Sequence, residues 1–184
     1  NDTAAPVVVF LMDAPGKRDL LRDMARRIAA NGYYVLLANL YYRSTPAFEP
    51  DFSTQESFQH MVELMGNLGN KAVARDVGML LDHAGADAAA DATRVGCVGY
   101  CMSGPFALWA AAEFSDVVRA AASFYGVRLH VESPDSPHTR LGEIAGELYV
   151  GAAEHDDCVP LDMIDRFEAA MQDSGVAGRV ERYW

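Results

Sequence analysis

The chain has 184 residues, a formal net charge of −11 and 51% hydrophobic residues. That length suits a single domain over 1–184 with a sizeable core, and the hydrophobic share excludes a disordered chain. The acidic balance argues against nucleic acid or an anionic membrane as partner, since both require a basic face, but leaves a small anionic substrate open.

Apolar runs alternate with helical patterns along the chain, which predicts an α/β fold with a mostly parallel sheet and helices on both faces. Val7–Met12 reads as a buried strand, followed by the turn Asp13-Ala14-Pro15-Gly16. Arg18–Asn31 carries Leu20, Leu21, Met24, Ala25 and Ile28 at helical spacing, and Gly32 stops it. Tyr33–Leu40 is the next strand. Residues 44–70, with Pro46 and Pro50, break the alternation and are the expected lid or pocket wall, with room for one helix. Lys71–Ala84 is amphipathic, and the Ala-rich Gly85–Thr93 reads as a linker. Arg94–Tyr100 is a strand and Met102–Phe114 a helix. Then come a strand at Arg119–Phe124, a long loop at Gly126–Gly146, a strand at Glu147–Gly151, the acidic loop Ala152–Val159, a helix at Leu161–Ser174 and a last strand at Arg179–Trp184.

The run Val98-Gly99-Tyr100-Cys101-Met102-Ser103-Gly104 carries the chemistry. A strand, a sharp turn between small residues and a helix form the context of a nucleophile elbow, here with a thiol at its apex. Cys101 is therefore the expected nucleophile of an acyl-transfer enzyme. A position at a helix N-terminus favours its thiolate. Ser103 is a weaker candidate, because Pro105 follows two residues on. The Met102 backbone amide and an amide from the turn after the first strand, that of Ala14, would form the oxyanion hole, since Pro15 has no N–H. Asp13 on that turn either faces the thiol or closes a local turn. The acid that orients a base is expected after a later strand, at Asp156 or, second, at Asp157. The five histidines, His60, His83, His130, His138 and His155, offer no base at the expected place after the last strand.

Three cysteines, an odd and low number, speak against a disulfide framework. Their spacing is unlike that of zinc ligands, so neither a metal nor a cofactor is expected. No apolar run approaches the ~20 residues of a membrane span, no signal-peptide pattern opens the chain, and a cytoplasmic location is expected.

Asp13-Ala14-Pro15-Gly16, Asn31-Gly32-Tyr33-Tyr34-Val35, Leu40-Tyr41-Tyr42-Arg43, the elbow, and Gly151…Asp156…Val159-Pro160 together resemble the dienelactone hydrolase family of the α/β-hydrolase superfamily. The resemblance runs in order along essentially the whole chain. It implies a Cys-His-Asp triad that opens unsaturated lactones through a thioester, with Cys101 as nucleophile and Asp156 as acid. It further implies Arg43 as a holder of a substrate carboxylate, with Tyr42 beside it, and Asp13 where the family has a glutamate that contacts the thiol. Ser103 stands where the family has a glycine. The family's histidine segment would follow Trp184 and its first strands would precede Val7, so the expectation is a piece of a longer protein. The expected partner is a lactone or ester substrate, carboxylated or not. The rival reading is a non-catalytic binding protein that retains the pocket.

Overall fold

A computed structural model describes residues 3–183 of the chain. Six parallel strands form one sheet in the order β2-β1-β3-β4-β5-β6. They are β1 (Ala5–Leu11), β2 (Tyr34–Ala38), β3 (Ala90–Tyr100), β4 (Val118–Phe124), β5 (Glu147–Ala153) and β6 (Gly178–Tyr183). The helices are α1 (Asp19–Ala29), α2 (Gln55–Gly66), α3 (Asn70–Gly85), α4 (Gly104–Glu113) and α5 (Leu161–Ser174). Trp184, expected in the last strand, lies outside the described residues, as do Asn1 and Asp2.

The strand order fixes where the helices go. The β1–β2 connection runs one way across the sheet, and the connections from β2 to β3 onward run the other way. Right-handed crossovers therefore place α1 on one face and α3, α4 and α5 on the opposite face. α4 accordingly packs on β3, β4 and α3. Alternation follows: Val7, Val9, Leu11, Val95, Cys97, Ala121, Leu148 and Val150 are buried toward α3–α5, whereas Val8, Val98, Ala120 and Tyr149 on the other face keep some exposure. α4 is hydrophobic all round and buried from Gly104 to Ala112, as a helix between a sheet and neighbouring helices must be. α1 instead pairs Arg22 with Asp19 and Arg26 with Asp23 on its outer side and buries Leu21.

Two segments differ from the sequence expectation by more than a shift of element ends. Ala90–Thr93 belongs to β3 rather than to a linker, because Ala90 and Asp91 pair with Ala5 and Pro6 ahead of a bulge that re-registers β3 on β1. The long loop after β4 contains a 3₁₀ segment at Pro137–Glu143.

The direction of crossover reverses between β1 and β3. In open α/β sheets such a switch point leaves a crevice at the carboxyl ends of the strands, where ligands bind. The Asp13–Gly16 turn leaves β1 at that point and Cys101 leaves β3.

Candidate active site

Cys101 sits between β3 and a single 3₁₀ turn, Cys101–Ser103, that leads into α4. Its φ is +52°, a left-handed conformation that costs a side-chain-bearing residue energy and is characteristic of a strained apex. The neighbours must be small. A Cβ on Gly99 would lie 2.1 Å from the Ser103 carbonyl oxygen, and one on Gly104 would lie 2.6 Å from the Gly126 Cα. Ser103 is fully buried, and its hydroxyl accepts from the Tyr100 N–H at 2.8 Å and lies 3.0 Å from the Leu11 carbonyl. Its hydroxyl thus knits the elbow to β1, and the structure leaves it no access to a substrate.

The amides assigned to the oxyanion hole come from adjacent strand ends. The Met102 N–H hydrogen-bonds the Cys101 sulfur. On the facing turn the Gly16 N–H donates to the Asp13 carbonyl at 3.0 Å. Tyr41 is buried between the two loops. Its hydroxyl donates to the Ala14 carbonyl at 2.8 Å and lies 3.4 Å from Met102 Sδ. Burial raises the Tyr41 pKa, so the phenol remains a donor.

The thiol departs from the expectation. Burial pushes the Cys101 pKa up, the Met102 amide opposes this, and the nearby Cys158 together with the Asp13 and Asp156 carboxylates pushes it up further. The helix N-terminus does not win here, because the sulfur is half-buried and carboxylates surround it. The resting group is a neutral thiol at pH 7.

Asp13 is buried, and its carboxylate is held by both terminal guanidinium nitrogens of Arg18, at 2.5 and 2.9 Å. Its charge still reaches Cys101 and Tyr125, whose pKa burial also raises. Asp156 is half-buried on the loop after β5, where it accepts from the Cys158 N–H at 2.8 Å, while Asp157 is exposed. Cys97 is buried in β3, which pushes its thiol up to about 12.

Arg43 and Tyr42 are engaged elsewhere. Arg43 forms a two-point ion pair with the buried Asp76 of α3, at 2.5 and 2.8 Å, and Tyr42 donates to the same carboxylate at 3.1 Å. The guanidinium also lies over the Tyr42 ring, 4.6 Å from its centroid. The sequence offered no sign of this, because Asp76 is 33 residues away.

Among the described residues no histidine hydrogen-bonds Cys101 or Asp156. His60 in α2 packs edge-on against Phe48. His138 bonds the Ser136 hydroxyl and stacks on His130. His155 is exposed beside Asp156.

A cavity of about 340 Å³ opens at Met102. Met65, Leu68, Pro105 and Phe106 give it an apolar floor, and Arg128, Ser133, Asp135 and Asn70 a polar wall. The expected lid thus supplies one side through the end of α2 and the residues after it. Neither Arg43 nor Tyr42 lines it.

The sequence profile of the dienelactone hydrolase family matches residues 1–184. The chain belongs to that family. Among curated relatives, a Synechocystis sp. protein named carboxymethylenebutenolidase is 26% identical over 97% of this chain and 72% of its own length. A Bradyrhizobium protein named 2-oxo-3-(5-oxofuran-2-ylidene)propanoate lactonase is 28% identical over 91% of this chain and 66% of its own length. The chain thus spans roughly two thirds to three quarters of these relatives. In fold it is similar to a Klebsiella pneumoniae protein described as a dienelactone hydrolase, with a TM-score of 0.85 over 100% of this chain and 75% of that one at 22% identity. A metagenomic dienelactone hydrolase-like phosphotriesterase gives 0.75 over 100% of this chain and 71% of its own at 21% identity. No helix among the described residues is long and apolar enough to cross a membrane.

Proposed function

We propose that this dienelactone hydrolase family member hydrolyses carboxylic esters or lactones with Cys101 as the nucleophile. The observation that carries the reading is the positive φ of Cys101 at a strand-to-helix apex, with the Met102 amide against its sulfur. The Cys101 sulfur attacks the carbonyl carbon, and the oxygen's developing charge falls to the Met102 and Ala14 amides. The carbon–oxygen bond to the leaving oxygen then breaks, leaving a thioester on Cys101; that enol or alcohol oxygen, free when it comes from an ester and still tethered to the acyl chain when it comes from a lactone, takes up the proton the thiol has lost. A histidine oriented by Asp156 would activate the water that cleaves the thioester, returning the thiol and a carboxylic acid.

A neutral resting thiol suits this chemistry. It spares the group from unwanted alkylation and oxidation, and it makes proton loss part of the reaction with substrate bound. An enol leaving group lowers the demand on the thiolate, so lactones conjugated to alkenes are the substrates proposed first. Activated esters such as 4-nitrophenyl acetate test the reading. Cys101→Ala should abolish their turnover, and turnover retained in that variant would exclude Cys101 as nucleophile.

A further inference from the structure

A second cavity, of about 500 Å³, lies between α3 and α4 and shares no lining residue with the one at Met102. Lys71, Ala74 and Arg75 stand at helical spacing on one side of α3, and Trp109 and Glu113 stand one turn apart on α4 across from them. Arg140 and Phe114 complete the wall. None of the residues assigned to the reaction at Cys101 lines it.

Two of its three cations are matched within the fold. Lys71 pairs with Asp135 at 2.8 Å, and Arg140 pairs with Glu113 at 2.5 Å and Glu143 at 2.6 Å. Arg75 is exposed and, among the described residues, makes no ion pair or side-chain hydrogen bond. Trp109 is 4% exposed, and its Nε1–H is buried with no acceptor. The Arg140 guanidinium lies over the indole, 4.8 Å from the ring centroid, and pins it against the cavity. An indole N–H can only donate, so whatever completes it must bring an acceptor. The free guanidinium and the free N–H therefore call for the same group, an oxygen that carries negative charge. Ala74 and Phe114 add apolar surface for a hydrocarbon body. Glu113 on the rim makes a second negative charge costly, which favours a monoanion over phosphate.

We propose that this cavity is a second binding site, separate from the elbow, for a small aromatic carboxylate. One carboxylate oxygen accepts from the Trp109 Nε1–H, the Arg75 guanidinium holds the other, and the ring lies against Ala74 and Phe114. The assignment does not rest on the hydrolase reading, because the ligand here is bound and not turned over.

Benzoate titrated into the isotope-labelled full chain, with the indole N–H resonances followed by NMR, tests it, and benzamide is the neutral control. The chain has two tryptophans, so Trp109→Phe assigns the signal. The Trp109 resonance should move downfield and saturate with benzoate and should not respond to benzamide. Arg75 is exposed, so replacing it leaves the core untouched. Arg75→Gln should weaken benzoate about 10-fold, and Arg75→Lys should keep part of the affinity. Inorganic phosphate should bind more weakly than benzoate. A Trp109 resonance that benzoate leaves in place, with shifts confined to residues around Met102, would overturn the proposal. So would a benzoate affinity unchanged in Arg75→Gln, an equal response to benzamide, or tighter binding of phosphate.

Discussion

Asp13 is clamped by Arg18 through two hydrogen bonds, on the turn whose negative charge reaches the Cys101 thiol. Arg18 is thereby placed to offset part of the Asp13 charge that the thiol feels. Cys101 is held above its ordinary pKa, so the reactive thiolate is scarce at neutral pH and increases as pH rises through the elevated value. Removing the Arg18 cation should push the thiol higher still, and removing the Asp13 anion should bring it down.

The rate of iodoacetamide alkylation at Cys101, followed from pH 6 to 10 by peptide mass spectrometry, reads this directly. Arg18→Gln should shift the profile to higher pH and Asp13→Asn to lower pH. Shifts in the same direction for both variants would contradict the electrostatic account.

Arg43 and Asp76 define a different kind of pair. Asp76 is buried and loses both of its guanidinium contacts when Arg43 is removed. A fully buried broken pair costs 3–5 kcal/mol, and the half-exposed Arg43 reduces that to about 1–3 kcal/mol. Arg43→Gln should therefore lower stability in urea denaturation by that amount. It should not alter the preference for a carboxylated over a neutral ester, and a selective loss of that preference would restore Arg43 to the substrate site.

Gly99 bears the tightest steric demand at the elbow. Gly99→Ala places a methyl 2.1 Å from the Ser103 carbonyl oxygen, where backbone must move, and should cost at least about 2–3 kcal/mol of stability. Gly66→Ala, with nothing within 4 Å, should change stability by only about 0.5 kcal/mol. Denaturation midpoints that fail to separate the two variants would show that the turn is not under this constraint.

The parts of the fold legible in sequence were those written in local pattern. Apolar runs and helical spacing gave the order of strands and helices, and the Leu161–Ser174 helix has the expected bounds because Pro160 and Gly175 punctuate it. Ala90–Thr93 escaped, since alanine-rich sequence has no strand signature and its pairing depends on Ala5 and Pro6 far upstream. The elbow was legible because its steric demand falls within a few consecutive residues. The use of Arg43 was not, for its partner is distant in sequence. Arg75 and Arg18 were missed for a related reason: an unmatched or a matched charge is a property of the folded neighbourhood. The direction of the Cys101 shift depends on burial and on three loops meeting, which no short motif records.

The most direct test of the central claim is a search for the acyl-enzyme. The protein is mixed briefly with 4-nitrophenyl acetate, quenched in acid and digested, and the elbow peptide is sequenced by mass spectrometry. The account predicts an added acetyl group on Cys101, released by neutral hydroxylamine as a thioester is, and absent in Cys101→Ala. Acetyl on Ser103 with Cys101 unmodified, or ester hydrolysis that continues in Cys101→Ala, would contradict it.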